Sequence, residues 1–125
     1  MNLLLDTHAL LWWLDEDPRL STPGYDAIAA GSNRVVVSAV SVWEAEIKRA
    51  SGKLRFHVAW LEQVRWEQFE PLEITFEHGV AAGQLPRHHR DPFDRMLIAQ
   101  AQVEGLTLVS GDARMRRYDV PILWD

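Results

Sequence analysis

The chain contains no cysteine, which excludes disulfides, thiolate metal sites and cysteine nucleophiles and agrees with a reducing compartment. Long apolar runs are missing as well. The longest, Ala9 to Leu14, is too short to span a bilayer, and Leu3 to Leu5 lacks both the length and the preceding basic segment of a signal-peptide core. The expectation is a cytoplasmic protein with neither export signal nor membrane anchor. There is no excess of positive charge: the formal net charge is -5, so the surface as a whole does not attract nucleic acid. No internal repeat or low-complexity tract interrupts the chain.

The 125 residues, 47% of them hydrophobic and 25% charged, fit one globular domain over residues 1–125 that buries roughly two thirds of its unfolded surface. Basic residues cluster locally, as Lys48-Arg49 with Lys53 and Arg55, as Arg87-His88-His89-Arg90 with Arg95, and as Arg114 with Arg116-Arg117. Taken alone, each cluster is as readily a solvated face as a phosphate-binding patch. Position favours function, because each follows or flanks an acid at the end of a predicted strand or the start of a predicted helix.

Strands are expected at Asn2 to Leu5, Arg34 to Ser38, Leu72 to Ile74, Leu106 to Ser110 and Val120 to Trp124, the last at an edge because Pro121 donates no ladder hydrogen bond. Helices are expected from Thr7 as cap to Leu14, from Ser21 through Ala30 with Gly31 as stop, and from Ser41 to Ala50. Further helices should run from Val58 to Gln68, from Thr75 toward Leu85, and from Phe93 to Glu104 before Gly105. A short helix should follow Asp112. Strands alternating with helices imply right-handed crossovers and a central, mainly parallel sheet covered on both faces. The first helix is apolar nearly all round, Leu10 to Leu14, so it should meet another helix or a partner chain, and a homodimer follows from the second option.

Asp6, Glu44, Asp94 and Asp112 all read as strand-to-helix junction residues, and such junctions gather on one edge of a parallel sheet. Each also has a structural reading. Asp6 can cap the first helix in place of Thr7, and Asp94 can serve the first turn after Asp91-Pro92. Glu44 completes a capping box with Ser41 and stands four residues before Lys48, while Asp112 or Ser110 can nucleate a turn. Four such coincidences at one edge favour a single acidic site. Carboxylates held close repel one another unless a cation compensates, and a hard divalent ion such as Mg²⁺ suits them, with Asp6 and Asp94 as direct ligands. No His-x-x-x-His or Glu-x-x-His spacing supports zinc, and His88-His89 should diverge. The natural chemistry is hydrolysis of a phosphodiester, leaving a 5′-phosphate and a 3′-hydroxyl. Lys48, Arg95 and Ser110 are the candidate substrate-binding residues.

Three stretches in this order carry a resemblance: Leu3-Leu4-Leu5-Asp6-Thr7-His8-Ala9-Leu10-Leu11-Trp12, Ser38-Ala39-Val40-Ser41-Val42-Trp43-Glu44, and His89-Arg90-Asp91-Pro92-Phe93-Asp94-Arg95-Met96-Leu97-Ile98-Ala99-Gln100-Ala101. Together with Leu108 to Asp112 and Val120 to Trp124 they resemble PIN-domain ribonucleases, specifically the VapC-type toxins of bacterial toxin-antitoxin modules. The resemblance implies a three-layer α/β/α fold and an endoribonuclease dependent on Mg²⁺ or Mn²⁺. It also implies a homodimer and a cognate antitoxin that occludes the acidic crevice. Asp6, Glu44 and Asp94 match the three core acids and Asp112 the fourth, leaving Asp91 as a cap. Glu46 stands where relatives commonly carry an apolar residue, and Ser110-Gly111-Asp112 replaces a more usual Thr-Arg-Asp, which removes a positive charge. Two other readings remain open at this point. One is an aspartyl-phosphate phosphotransferase or phosphatase, although His8 stands where its second Asp belongs. The other is a non-catalytic module of the same fold binding a partner through Trp12-Trp13.

Overall fold

In the computed structural model, which describes residues 1–125, the strands are β1 (Asn2–Leu5), β2 (Arg34–Ser38), β3 (Glu70–Leu72), β4 (Thr107–Val109) and β5 (Ile122–Leu123). They form one sheet in the order β3-β2-β1-β4-β5, and every neighbouring pair is parallel. The helices are α1 (Thr7–Leu14), α2 (Thr22–Ala29), α3 (Ala39–Ala50), α4 (Trp60–Trp66), α5 (Phe76–Gln84) and α6 (Pro92–Glu104).

Successive strand side chains point to opposite faces, so the uninterrupted runs Leu3-Leu4-Leu5 and Val35-Val36-Val37 feed two cores. Leu3, Leu5, Val35, Val37 and Val109 pack with Leu10, Ile28, Trp60 and Val64 beneath α1, α2 and α4. Leu4, Val36 and Leu108 pack with Leu97, Ile98 and Met115 on the other face, where α6 lies against α5. Helices therefore cover both faces of the sheet, the three-layer α/β/α arrangement. No helix is long and apolar enough to cross a membrane.

The chain winds outward from β1 through β2 to β3, then returns to add β4 and β5 on the other side. That reversal opens a crevice beyond the carboxyl ends of β1 and β4.

Several boundaries differ from the sequence reading, each for a local reason. Asp6, not Thr7, caps α1, its Oδ1 accepting from the Ala9 N–H at 2.8 Å. Strand β2 passes directly into α3, with Ser38 as N-cap accepting from the Val40 N–H at 3.1 Å, so Ser41 lies inside the first turn. Helix α2 stops at Ala29 because Ala30 turns extended, and no left-handed Gly31 is needed. Helix α4 is shorter than expected; Val58 is exposed and Trp60 takes its place in the core. Strand β3 lies two residues earlier than expected, and β5 keeps only Ile122 and Leu123. Of the two expected ways to cover α1, the intrachain one is found: it packs on α3 and α4, with Trp13 tilted against Tyr25 and Phe69 at 5.1 and 6.4 Å between ring centroids.

Candidate active site

Asp6 is the first residue past β1, and its backbone N–H still donates to the Val109 carbonyl at 3.0 Å. The sheet thus holds this residue in place while its side chain caps α1. Glu44, one and a half turns into α3, is buried; its Oε1 accepts from the Thr7 hydroxyl at 2.5 Å and its Oε2 from Lys48 Nζ at 2.6 Å. Asp94 occupies the first turn of α6, which Asp91 caps by accepting from the Phe93 and Asp94 N–H groups. Asp112 caps the 3₁₀ turn Ala113–Arg117 after β4. Asp6, Glu44, Asp94 and Asp112 line one cavity of about 570 Å³ together with Lys48, Asp91, Arg19 and Arg114, and Trp12 and Trp124 supply its apolar wall.

Contrary to the sequence reading, Asp94 does not follow a strand, since α5 and a loop separate α6 from β3. It reaches the crevice because α6 packs on the sheet with its N-terminus toward the same edge.

Charge in the cavity is unevenly compensated. Lys48 pairs with Glu44, and Arg114 Nη2 pairs with Asp112 Oδ2 at 3.0 Å. Burial raises the pKa of Asp112, but the Arg114 guanidinium and backbone N–H, with His89, outweigh it and hold this carboxyl below its usual range. Burial likewise disfavours the Lys48 ammonium, yet Glu44, Asp91 and Asp94 hold its pKa above the ordinary lysine value. Asp6 and Asp94 have no Lys or Arg partner. Burial pushes the Asp6 carboxyl up against the lowering effect of the Ser110 hydroxyl and the Ala9 N–H. Burial, then the charges of Asp91, Glu44, Asp6 and Asp112, push Asp94 up to about 8.

His89 is the residue that sequence reasoning passed over. It is buried, and its Nε2 lies 2.9 Å from Asp94 Oδ2 and 3.1 Å from Asp112 Oδ2. Those three ligand atoms lie within 4.8 Å of one another, close enough to share one ion. The tautomer divides the roles, however. Nδ1 accepts from the Asp91 N–H at 3.2 Å, which leaves the proton on Nε2 as a donor to both acids. His89 therefore orients carboxylates, and the oxygens left facing the cavity are a donor set suited to a hard divalent cation. Its place two residues before the α6 cap, inside the motif that carries the resemblance, was the available signal.

The expected substrate-binding residues separate. Lys48 lines the cavity. Arg95 does not: its guanidinium donates to the carbonyls of Ala82, Leu85 and Pro86 and so closes the end of α5. Ser110 is fully buried, accepting from the Asp112 N–H at 3.1 Å, and its hydroxyl lowers the Asp6 pKa, so it lies between two acids without facing the cavity. Arg114 brings a positive charge beside Asp112. Gly111 itself is required by packing, since a Cβ there would stand 2.7 Å from Trp124 Cε2. Gly111→Val is expected to displace Trp124 from the cavity wall and destabilise the fold by about 1–3 kcal/mol. Thermal melting with the Trp124 indole resonance as reporter checks this; an unmoved indole contradicts it.

A parallel α/β protein with an acidic crevice at the switch point, able to take a divalent metal, is the class that fold and site define. The chain belongs to the PIN-domain family, whose sequence profile matches residues 3–121. It is 33% identical over 125 residues to Ribonuclease VapC22 of Mycobacterium tuberculosis, covering 96% of this chain and 94% of that one. Among solved structures it is similar to DNA-bound VapBC from Salmonella typhimurium, with a TM-score of 0.74 and 17% identity over 98% of this chain and 97% of the other. VapBC2 from Rickettsia felis, bound to a promoter DNA fragment, gives a TM-score of 0.71 and 17% identity over 100% of both chains. Membership in this family removes the phosphotransferase reading.

Proposed function

We propose that this protein is a Mg²⁺-dependent endoribonuclease, the toxin of a cytoplasmic toxin-antitoxin module, acting as a single PIN domain. The observation that carries this reading is the pair of carboxylates without a Lys or Arg partner, buried Asp6 and half-buried Asp94, in a cavity lined by three further acids. Mg²⁺, or Mn²⁺ in its place, would be held by Asp6 and Asp94. When bound it acidifies water and neutralises charge developing on a phosphoryl group.

The chain's own residues do the rest. Glu44, fixed by Thr7 and Lys48, and Asp112, fixed by Arg114 and His89, are placed to accept a proton from the attacking water or to orient it. Lys48 offers a cation to the phosphate beside the acids. Trp12 and Trp124, tilted at 5.9 Å between ring centroids, give unstacked bases an aromatic surface at the rim. The relative named Ribonuclease VapC22 and the VapBC complexes support the substrate and a cognate antitoxin as partner. Exposed apolar side chains, Trp43 on α3 and Phe76 and Val80 on α5, are available to a homodimer or to that antitoxin.

The test is incubation of purified protein with end-labelled RNA. Internal cuts that need Mg²⁺, stop with chelator and leave 5′-phosphate and 3′-hydroxyl ends are expected. Equal cleavage in chelator, or none with Mg²⁺, contradicts the reading.

A further inference from the structure

Behind the acidic crevice lies a second cavity of about 540 Å³, lined by Gly83, Leu85, Arg87, His89, Arg90 and Arg95. No carboxylate lines it. Arg95 spends its donors on the carbonyls at the end of α5, whereas Arg87 and Arg90 form neither an ion pair nor a side-chain hydrogen bond. Every cation inside the acidic crevice, by contrast, already holds a carboxylate: Arg19 with Asp17, Lys48 with Glu44, Arg114 with Asp112.

His89 is the wall between the two cavities, lining the basic one while its Nε2 reaches Asp94 and Asp112. The loop that carries both arginines is also fixed in advance. The Tyr118 hydroxyl donates to the Pro86 carbonyl at 2.7 Å and accepts from the His89 N–H at 2.9 Å, and His88 packs edge-on against the Tyr118 ring at 5.1 Å. A pair of free guanidinium groups on a fixed loop, next to repelling carboxylates, matches a chain of regularly spaced phosphates better than any single anion. One phosphate can then sit at the acids while neighbours along the strand are held by Arg87 and Arg90.

We infer that this basic cavity is a phosphate-backbone subsite that grips the RNA strand beside the bond to be cut. The inference rests on the endoribonuclease reading for the identity of the strand. A strand seated there would run past His89, and Gly83, whose missing side chain has nothing within 4 Å of it, would leave the entrance open.

The experiment is fluorescence anisotropy of a labelled single-stranded RNA titrated with the protein in EDTA, repeated over a series of KCl concentrations. For Arg87→Gln with Arg90→Gln, affinity should fall by about tenfold or more, and the slope of log K against log salt should shrink by roughly 1.4, the value for two lost single-strand phosphate contacts. Gly83→Leu, which keeps both charges and adds a better helix former, should also weaken binding. Arg34→Gln with Arg65→Gln, an equal charge change at exposed sites outside the three basic clusters and both cavities, should bind like the unaltered protein. Unchanged slope and affinity in the arginine pair overturn the subsite, as does an equal loss in the control pair or no RNA binding by the unaltered protein. Unchanged RNA affinity with lost binding to poly-glutamate overturns it in favour of an acidic protein ligand. If the arginine pair loses RNA binding but the unaltered protein with Mg²⁺ cuts nothing, the subsite stands and the nuclease reading fails. If the unaltered protein cuts and the arginine pair keeps its salt slope, the nuclease reading stands and the subsite fails.

Discussion

Asp94→Asn is expected to lower metal-dependent RNA cleavage by at least about 10²-fold, more than the 10–100-fold typical of losing a residue that only supports a metal ligand. The same substitution is expected to raise the stability of the metal-free protein at pH 8 by about 1–2 kcal/mol. The two effects share one cause. Asp94 is half-buried among Asp91, Glu44, Asp6 and Asp112, whose repulsion opposes its charge. An amide removes that repulsion and, with it, the attraction for a cation. A first-turn acid serving only the helix dipole behaves oppositely, since its neutralisation costs about 0.3–1 kcal/mol. Asp91→Asn provides the neighbouring contrast, because Asp91 caps α6 through the Phe93 and Asp94 N–H groups and asparagine caps about as well. Its stability should rise less than that of Asp94→Asn, since the cap is kept and only the share of repulsion between Asp91 and Asp94 is removed. Thermal melts of both variants in chelator, beside RNA cleavage in Mg²⁺, separate the roles; a destabilised Asp94→Asn protein that still cuts RNA at full rate would remove the metal site.

The second large effect is a coupling of stability to pH and metal. The folded pKa of Asp94, about 8, lies above the ordinary value of 3.8, so the folded state holds this proton more tightly than the unfolded chain does. The resulting stabilisation is complete below about pH 4 and is lost as pH rises through about 8. Asp6, whose pKa is also raised by burial, acts in the same direction. Asp112, held low by Arg114 and His89 against burial, acts in the opposite sense, its contribution fading as pH falls through the carboxylate range. With Asp6 and Asp94 dominant, the melting temperature of the metal-free protein should fall between pH 5 and pH 8. Saturating Mg²⁺ should restore it most strongly at pH 8, where the carboxylates are free of protons. At about one hundred times Kd, a ligand adds roughly 2.7 kcal/mol, on the order of 10 °C for a domain of this size. Scanning calorimetry at both pH values, with and without Mg²⁺, reads this directly; an equal Mg²⁺ effect at pH 5 and pH 8 argues against carboxylate ligands.

These effects depend on residues whose legibility in the sequence differed for physical reasons. The central strands could be read because parallel strands buried on both faces leave uninterrupted apolar runs, as in Leu3-Leu4-Leu5 and Val35-Val36-Val37. Helix α6 could be read because Asp91, Pro92 and Gly105 mark its ends, and Gly105 adopts the left-handed conformation its position needs, with φ of 69°. The start of α3 was hidden because one residue, Ser38, both ends β2 and caps the helix, leaving no loop to mark the change of period. Glu44 fits a capping box only if Ser41 is the cap; with the helix starting at Ala39, its bonds to Thr7 and Lys48 come into view.

The polar residues around the acids were harder. Arg95 follows Asp94 in sequence, but one step along a helix turns a side chain by about 100°, and it points to the carbonyls ending α5. Arg114, grouped by sequence with Arg116 and Arg117 as a possible phosphate-binding cluster, instead pairs with Asp112 because the 3₁₀ turn folds back over its own cap. His89 looked like part of a solvated turn, and only the tertiary contact with Tyr118 draws it inward. Side-chain direction of this kind depends on long-range packing, which neither spacing nor composition carries.

Whether Asp6 and Asp94 together hold one divalent cation is decided by anomalous-difference density from crystals grown with Mn²⁺. A peak in contact with carboxylate oxygens of both Asp6 and Asp94 is expected. Ordered density for both side chains with no peak between them, or with Mn²⁺ bound only elsewhere, would contradict it.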